Sequence, residues 1–250
     1  MFFRVLLLFE KDTYYWKNKM AARMLSSTTT SNQKSMGDSS IVSYRQGSKN
    51  VTTPNYKITL IGHSYVRRLM EYRKIHEKCP GVIEVDGKTF QPTYVWQGGQ
   101  DYAFFNGSNF HKEVIIQSKP DLILVILGGN AVASGDIDIP VASRNMRTFF
   151  YWLQENFPNS LLIAAEVEPR YDGQGPPSPD QKESHWRRRN AFNQAVYRLP
   201  GKDFTHRVAM YLNNRKFYTY DGVHFSDRGN HFYWGMIKDT LSKVIKKFEL

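Results

Sequence analysis

One cysteine, Cys79, is all that this chain of 250 residues contains. An internal disulfide and a multi-cysteine zinc site are therefore excluded, and the composition fits a reducing compartment. Long apolar runs are missing as well. Nothing approaches the roughly 18 consecutive apolar residues that a membrane-spanning helix needs. Acidic residues are fewer than basic ones, 23 against 34, which gives a formal net charge of +11. Two explanations fit that surplus: a nucleic-acid or membrane-surface partner, and solvated lysines and arginines scattered over a soluble protein. The densest cluster, Arg187-Arg188-Arg189, is short, and Lys243, Lys246 and Lys247 fall on the outer face of an expected terminal helix. The second explanation therefore carries more weight. Dinucleotide fingerprints, phosphate-binding loops and metal-ligand spacings are absent too, so neither a cofactor nor a metal is expected.

The first 53 residues lack the makings of a core. Residues 1–9 are apolar like the start of a signal peptide, but that stretch is very short. Glu10-Lys11-Asp12 follows at once, and no small-residue cleavage site appears. Residues 20–27 are acid-free, as in a transit peptide, and the signal is equally weak. From 26 to 53 the sequence is dominated by Ser, Thr, Asn, Gln and Gly, with too little apolar surface to offset the entropy of ordering. The expectation is an irregular, disordered extension over 1–53 and one folded domain over 54–250. Targeting is left open, with an intracellular location favoured over export.

What the domain does have is an alternation of short apolar strands and amphipathic helices. Ile58, Leu60 and Ile61 form a buried strand that turns through Gly62 into a helix with Val66, Leu69 and Met70 on one face. Glycine at the turn supplies backbone angles that other residues resist. Residues 82–85 and 94–96 read as strands, with Asp86-Gly87 as a turn between them. A short helix is expected over 110–117. Residues 122–127, Leu-Ile-Leu-Val-Ile-Leu, form the clearest buried strand, its unbroken apolar character suiting a parallel strand covered on both faces. A helix over 141–157 shows Met146, Phe149, Phe150 and Leu153 as its stripe. A strand over 161–165 follows, then a Pro/Gly-rich loop over 169–182, a helix over 184–199 and a strand over 207–211. The last helix, 226–248, is capped by Ser226. Strands alternating with helices indicate a parallel α/β sheet with right-handed crossovers, whose sites form at the carboxyl ends of strands.

Four segments stand out, the first three at such strand ends and the last just before the final helix. They are Gly62-His63-Ser64, Gly98-Gly99, Gly128-Gly129-Asn130 and Asp221-Gly222-Val223-His224. Each alone has an ordinary explanation, as a turn, a helix cap or a surface histidine. Together they meet the needs of acyl transfer. A serine hydroxyl is a poor nucleophile until a base takes its proton. Histidine suits that task because imidazole titrates near neutrality. A carboxylate must in turn hold the imidazole, and Asp221 lies on the same loop as His224. The oxyanion needs fixed donors, for which the backbone N–H groups of Ser64 and Gly99 and the Asn130 amide qualify.

In this order and context the four segments resemble the SGNH hydrolase superfamily, also called GDSL-type esterases and lipases. Its signature residues Ser, Gly, Asn and His correspond to Ser64, Gly99, Asn130 and His224. The resemblance runs from Lys57 to the C-terminus. It implies a flavodoxin-like three-layer α/β/α fold with a parallel sheet, a metal-free serine-hydrolase mechanism and a shallow, adaptable site. By that resemblance Ser64, His224 and Asp221 are catalytic, Ser64, Gly99 and Asn130 form the oxyanion hole, and the substrate is a small ester such as an acetyl ester. Two departures stand out. The first block of the family usually reads Gly-Asp-Ser, where this chain has His63. The third usually ends Asn-Asp, where this chain has Ala131, losing a carboxylate that normally braces the loop. Gly-His-Ser versions are also similar to uncharacterised invertebrate proteins and to esterase-like modules of retroelements.

The two departures and the basic charge keep an alternative in view, a catalytically weak binding module of this fold associated with nucleic acid. Carbohydrate acetyl transfer or deacetylation would use the same residues. Around the site, His185, Trp186 and Arg187 to Arg189 suit either an anionic substrate or, with more weight, a solvated helix face. Trp96, Tyr102, Phe104 and Phe105 suit an acyl pocket and the core equally. His231, Phe232, Tyr233 and Trp234 belong to core and rim, and His206 has no evident partner.

Overall fold

The computed structural model describes residues 41–43, 55–134, 137–170, 179–199 and 214–250. Its centre is a sheet of β1 (Ile41–Ser43), β2 (Tyr56–Gly62), β3 (Ile83–Val85), β4 (Lys88–Trp96), β5 (Leu122–Ile126) and β6 (Leu161–Ala164), in the order β1-β4-β2-β5-β6 with β3 also on β4. Strands β4, β2, β5 and β6 run parallel, while β1 and β3 join β4 antiparallel. The helices are α1 (Ser64–His76), α2 (Tyr102–Gly107), α3 (Asn109–Ser118), α4 (Gly129–Ala133), α5 (Ile139–Asn156), α6 (Pro179–Tyr197) and α7 (Asp227–Phe248), with a 3₁₀ turn at Arg215–Phe217.

Side-chain alternation along β2 sorts the helices into two layers. Ile58 and Leu60 pack with Leu69 and Met70 of α1 and with Ile237 and Leu241 of α7. Ile61 points to the opposite face, where Phe105 of α2, Ile115 of α3, Met146 and Phe149 of α5 and Phe192 of α6 form a second core. The result is the expected three-layer α/β/α architecture, with β5 buried along its whole length.

Several expectations are refined. The strand expected at 94–96 begins at Lys88 and carries Pro92. This proline lies between the β3 pairing, which ends at Phe90, and the β1 pairing, which starts at Thr93. It thus occupies the gap between two edge partners, where a strand tolerates a missing N–H. Asp86 and Gly87 both have positive φ, 48° and 74°, the geometry of a tight two-residue hairpin. Strand β1 is a correction to the domain boundary, because it draws Ile41–Ser43 into the sheet from the extension expected to lack structure. Helix α6 starts at Pro179, inside the stretch read as loop. The strand expected at 207–211 lies outside the described residues.

Gly62 is needed for a different reason than expected. It is not among the positive-φ residues. A Cβ there would lie 2.4 Å from Val66 Cγ2 and 2.6 Å from the Ile126 carbonyl oxygen. Space rather than backbone angle demands glycine. That close approach of α1 to β5 sets where Ser64 emerges.

Candidate active site

The sheet register aligns three of the four segments. Gly62 pairs with Trp96 of β4 and with Ile126 of β5, so the chain leaves all three strands at one level. The turn after β4 is tied to both neighbours. Gln97 N–H donates to the Gly62 carbonyl at 3.1 Å, and Asn130 Nδ2 donates to the Gln100 carbonyl at 3.0 Å. Gly99 has φ 73° and Gly98 and Gly99 are exposed. A Cβ added at either would meet nothing within 4 Å, so this rim is open to solvent.

Ser64 is the first residue of α1 and is half-buried. Its Oγ lies 2.8 Å from His224 Nε2. His224 Nδ1 donates to Asp221 Oδ2 at 2.6 Å, which leaves Nε2 free to accept the serine proton. The loop is built around Asp221. Its Oδ1 accepts from the backbone N–H groups of Val223 and His224, each at 2.9 Å, and from Thr219 Oγ1 at 2.7 Å. Desolvation by partial burial raises the Asp221 pKa, but the bonds from the His224 side chain and backbone, Thr219 and Val223 outweigh it and hold the carboxyl well below the usual carboxylate range. Gly222, at φ 68°, supplies the left-handed residue that folds Asp221 back under His224.

The loop is fixed from two sides. Arg215 donates to the carbonyls of Tyr218, Thr219 and Tyr220. The Tyr65 hydroxyl donates to the Val223 carbonyl, and its ring stacks on Phe225 at 4.9 Å. Neither Arg215 nor Tyr65 stands out in the sequence. For Tyr65 the usable signal is its position directly after Ser64, where a helix facing the last loop needs a long side chain with a polar tip.

His63 is the N-cap of α1. Its Nδ1 accepts from Tyr65 N–H at 3.5 Å, a task that Asp, Asn, Ser and Thr usually perform. Because Nδ1 accepts, its proton sits on Nε2. Nδ1 is also 3.4 Å from Ser64 Oγ, a longer and weaker contact than the 2.8 Å to His224. His63 is buried, and desolvation first, then the charges of Arg170 and His224, lower its pKa to about 3. So weak a base does not compete for the serine proton.

Asn130 is the second residue of the short helix α4, and its amide is held from both ends. Nδ2 donates to Gln100, while Oδ1 accepts from Arg170 Nη2 at 2.9 Å. Behind it Arg188 of α6 donates to the carbonyls of Ala131, Val132, Ser134 and Ile137. Arg189 Nε donates to the Val167 carbonyl at 2.7 Å. Two members of the 187–189 run are therefore half-buried and bound to main-chain carbonyls, which corrects the reading of a solvated face for Arg188 and Arg189, while Trp186 and Arg187 are exposed as expected. Tyr102 and Phe105 are core residues, with Phe104 packed beside them and Trp96 against the opposite core. Tyr233 and Trp234 are buried, and His231 Nδ1 pairs with the Tyr72 hydroxyl at 3.0 Å. His206 lies outside the described residues.

A residue that sequence reasoning passed over is Glu168, 3% exposed at the end of the segment after β6. Burial pushes its carboxyl up to about 7, against the lowering pull of Tyr233, Arg189 and Arg170. Its Oε1 has no hydrogen-bond partner among the described residues. A Glu-Pro-Arg triplet shortly after a buried strand, at the same edge as Ser64 and Asn130, is the signal that could have found this segment.

Solved structures with the same layout include lipases and esterases. A lipase/acylhydrolase from Enterococcus faecalis matches with a TM-score of 0.55 and 20% identity, over 75% of this chain and 96% of that one. The fold is that of the SGNH hydrolases. A GDSL-like lipase from Bacteroides thetaiotaomicron matches with a TM-score of 0.53 and 16% identity, covering 77% of this chain and 88% of that one. A carbohydrate esterase family 3 protein from Talaromyces cellulolyticus gives 0.53 and 16%, over 76% and 98%. Neither a protein-family model nor a curated protein matches the sequence. Among the described residues no His, Cys, Asp or Glu cluster suits a metal ion, and no helix is long and apolar enough to cross a membrane.

Proposed function

We propose that this protein is a serine hydrolase acting on carboxylic esters with small acyl groups, acetyl esters first among them. The observation that carries the proposal is the unbroken contact from Ser64 Oγ through His224 to Asp221, at 2.8 and 2.6 Å. Those distances are within direct proton-transfer reach. Ser64 Oγ attacks the ester carbonyl carbon as its proton passes to His224 Nε2. Asp221 holds the imidazole tautomer and stabilises the imidazolium. The tetrahedral oxyanion is received by the backbone N–H groups of Ser64 and Gly99 and by the second amide proton of Asn130, the first being used on Gln100. Collapse expels the alkoxide, which takes the proton from His224. Water then repeats the sequence on the acyl-serine, releasing the acid and regenerating Ser64.

The open rim at Gly98 and Gly99 supports a shallow, accessible site. A carbohydrate esterase among the structural neighbours makes an acetylated sugar one concrete substrate to try. The competing account, a nucleic-acid-binding module, draws on the net charge of +11. Arg188 and Arg189, from its densest basic run, are bound to main-chain carbonyls, which weakens that account. Likeness to invertebrate and retroelement-associated modules rests on the Gly-His-Ser block alone.

Turnover of p-nitrophenyl esters tests the proposal. Acetate should be cleaved well above the buffer rate and faster than long acyl chains, with Ser64→Ala and His224→Ala at background. Wild-type protein no faster than buffer on any ester contradicts it.

A further inference from the structure

The third block of the pattern that the sequence resembles carries a carboxylate that braces the loop, and here Ala131 has none to offer. The Asn130 amide is nonetheless held in one orientation. Its Oδ1 accepts from Arg170 Nη2 at 2.9 Å while Nδ2 donates to the Gln100 carbonyl at 3.0 Å. Turning the amide over would set Oδ1 against a carbonyl oxygen and Nδ2 against a guanidinium, two repulsive contacts in place of two bonds. The Gln100 contact alone leaves the amide free to swing about that single bond. The guanidinium is what closes the second side.

The segment that leads to Arg170 is well anchored. The Tyr218 hydroxyl donates to the Pro169 carbonyl at 2.7 Å. Val167 N–H donates to Asn193 Oδ1 at 2.9 Å, and Arg189 binds the Val167 carbonyl. Glu168 beside it is buried. The guanidinium reaches the floor of the site, since Nη2 lies 3.1 Å from where a Cβ on Gly129 would stand and His63 Nε2 lies 3.3 Å from the same point. Glycine at 129 is thus what lets Arg170 and His63 converge under Asn130.

We propose that Arg170 is the positioning residue for Asn130, a guanidinium brace that replaces the missing carboxylate and holds the amide donor toward the oxyanion. The inference rests on the reading of Asn130 as an oxyanion donor. A planar, always-charged fork suits this task better than a lysine, whose ammonium is a point charge on a flexible stem. Because the donor acts on charge that develops in the transition state, its misplacement lowers kcat and leaves KM nearly unchanged.

The experiment has two arms. The first is a double-mutant cycle on ester turnover with Arg170→Met and Asn130→Ala. Arg170→Met should lower kcat by about 10- to 100-fold, approaching the loss of a whole oxyanion donor, with KM within about twofold. In the Asn130→Ala background the same change should cost less than about threefold, because the group it positions is gone. Arg170→Lys should recover part of kcat. Equal cost in both backgrounds, or a KM effect alone, overturns the proposal. The second arm needs no activity. In ¹⁵N-labelled protein the Asn130 side-chain amide signals, assigned by their loss in Asn130→Ala, should shift and broaden in Arg170→Met while the backbone spectrum away from the site is retained. Unchanged amide signals overturn the brace. An inactive wild type would overturn the esterase reading, while this second arm still decides the brace.

Discussion

The turn after β2 and the turn after β5 each depart from the SGNH pattern that the sequence resembles, and they solve the problem differently. After β2 the substitute stands in the same position. His63 takes the N-cap that an aspartate would take, accepting from Tyr65 N–H through Nδ1. After β5 the substitute comes from far along the chain. Arg170 holds the Asn130 amide and Arg188 holds four carbonyls behind it. A cap needs one acceptor at one place, and an imidazole nitrogen provides it. Bracing a loop needs several donors fanned over successive carbonyls, and a guanidinium is the side chain with that many N–H groups. Local substitution and remote replacement therefore differ in what breaks them.

The largest effect is expected at the point where the two turns touch. Gly62→Ala would set a methyl 2.6 Å from the Ile126 carbonyl oxygen, a backbone atom that cannot yield cheaply. A loss of about 3 kcal/mol is expected, read as a drop in the urea midpoint. A variant near wild type in stability would mean that α1 slides freely on β5.

Arg188→Met should come next, destabilising by about 2–3 kcal/mol because buried carbonyls lose a charged partner. Turnover should fall with it, since the loop behind Asn130 loosens. The matching change after β2 is milder. His63→Ala removes one cap, costing about 1 kcal/mol, whereas His63→Asp should keep both stability and turnover close to wild type. Thermal melting and ester turnover of the three variants check this. If His63→Ala proves as damaging as Arg188→Met, the contrast between local and remote support fails.

Much of this contrast was hidden in the sequence, and the reasons are physical. Ser64, Gly99, Asn130, Asp221 and His224 could be picked out as candidates because strand ends, turn glycines and short spacings are local signals. The alternation of Ile58, Leu60 and Ile61, the Asp86-Gly87 hairpin and the Ser226 cap were readable for the same reason. Helix α2 was missed although Asp101 caps it through Ala103 and Phe104 N–H, because one turn and a half of aromatic residues has no visible period. The roles of Arg170 and Arg188 depend on partners 40 and 51–57 residues away. No periodicity carries that information. Gly62 was correctly singled out for the wrong reason, since crowding by a neighbouring strand cannot be read from one strand's sequence.

The smallest net effect in the wild-type protein concerns pH, where two buried groups of the site oppose each other. His63 has a pKa of about 3 in the folded chain against 6.5 unperturbed. The unfolded chain therefore binds the extra proton, and stability from this residue, full above 6.5, falls as pH drops toward 3. The slope is about 1.4 kcal/mol per pH unit. Glu168 acts in the opposite sense, with a folded value of about 7 against 4.5. Its contribution is present below 4.5 and lost as pH rises toward 7. Between 4.5 and 6.5 the two slopes oppose and largely cancel. Glu168→Gln should uncover the His63 slope, so that its stability relative to wild type decreases as pH falls through that window. Parallel curves for the two proteins would show that Glu168 does not hold its proton when folded.

The central claim is that Ser64, activated by His224 and Asp221, is a working nucleophile. Labelling with a fluorophosphonate probe tests it most directly, because the probe forms its bond only with an activated serine and needs no knowledge of the natural ester. The account predicts one adduct per chain, on the peptide containing Ser64, lost in Ser64→Ala and strongly slowed in His224→Ala. No adduct on wild-type protein, or equal labelling of Ser64→Ala, would contradict it.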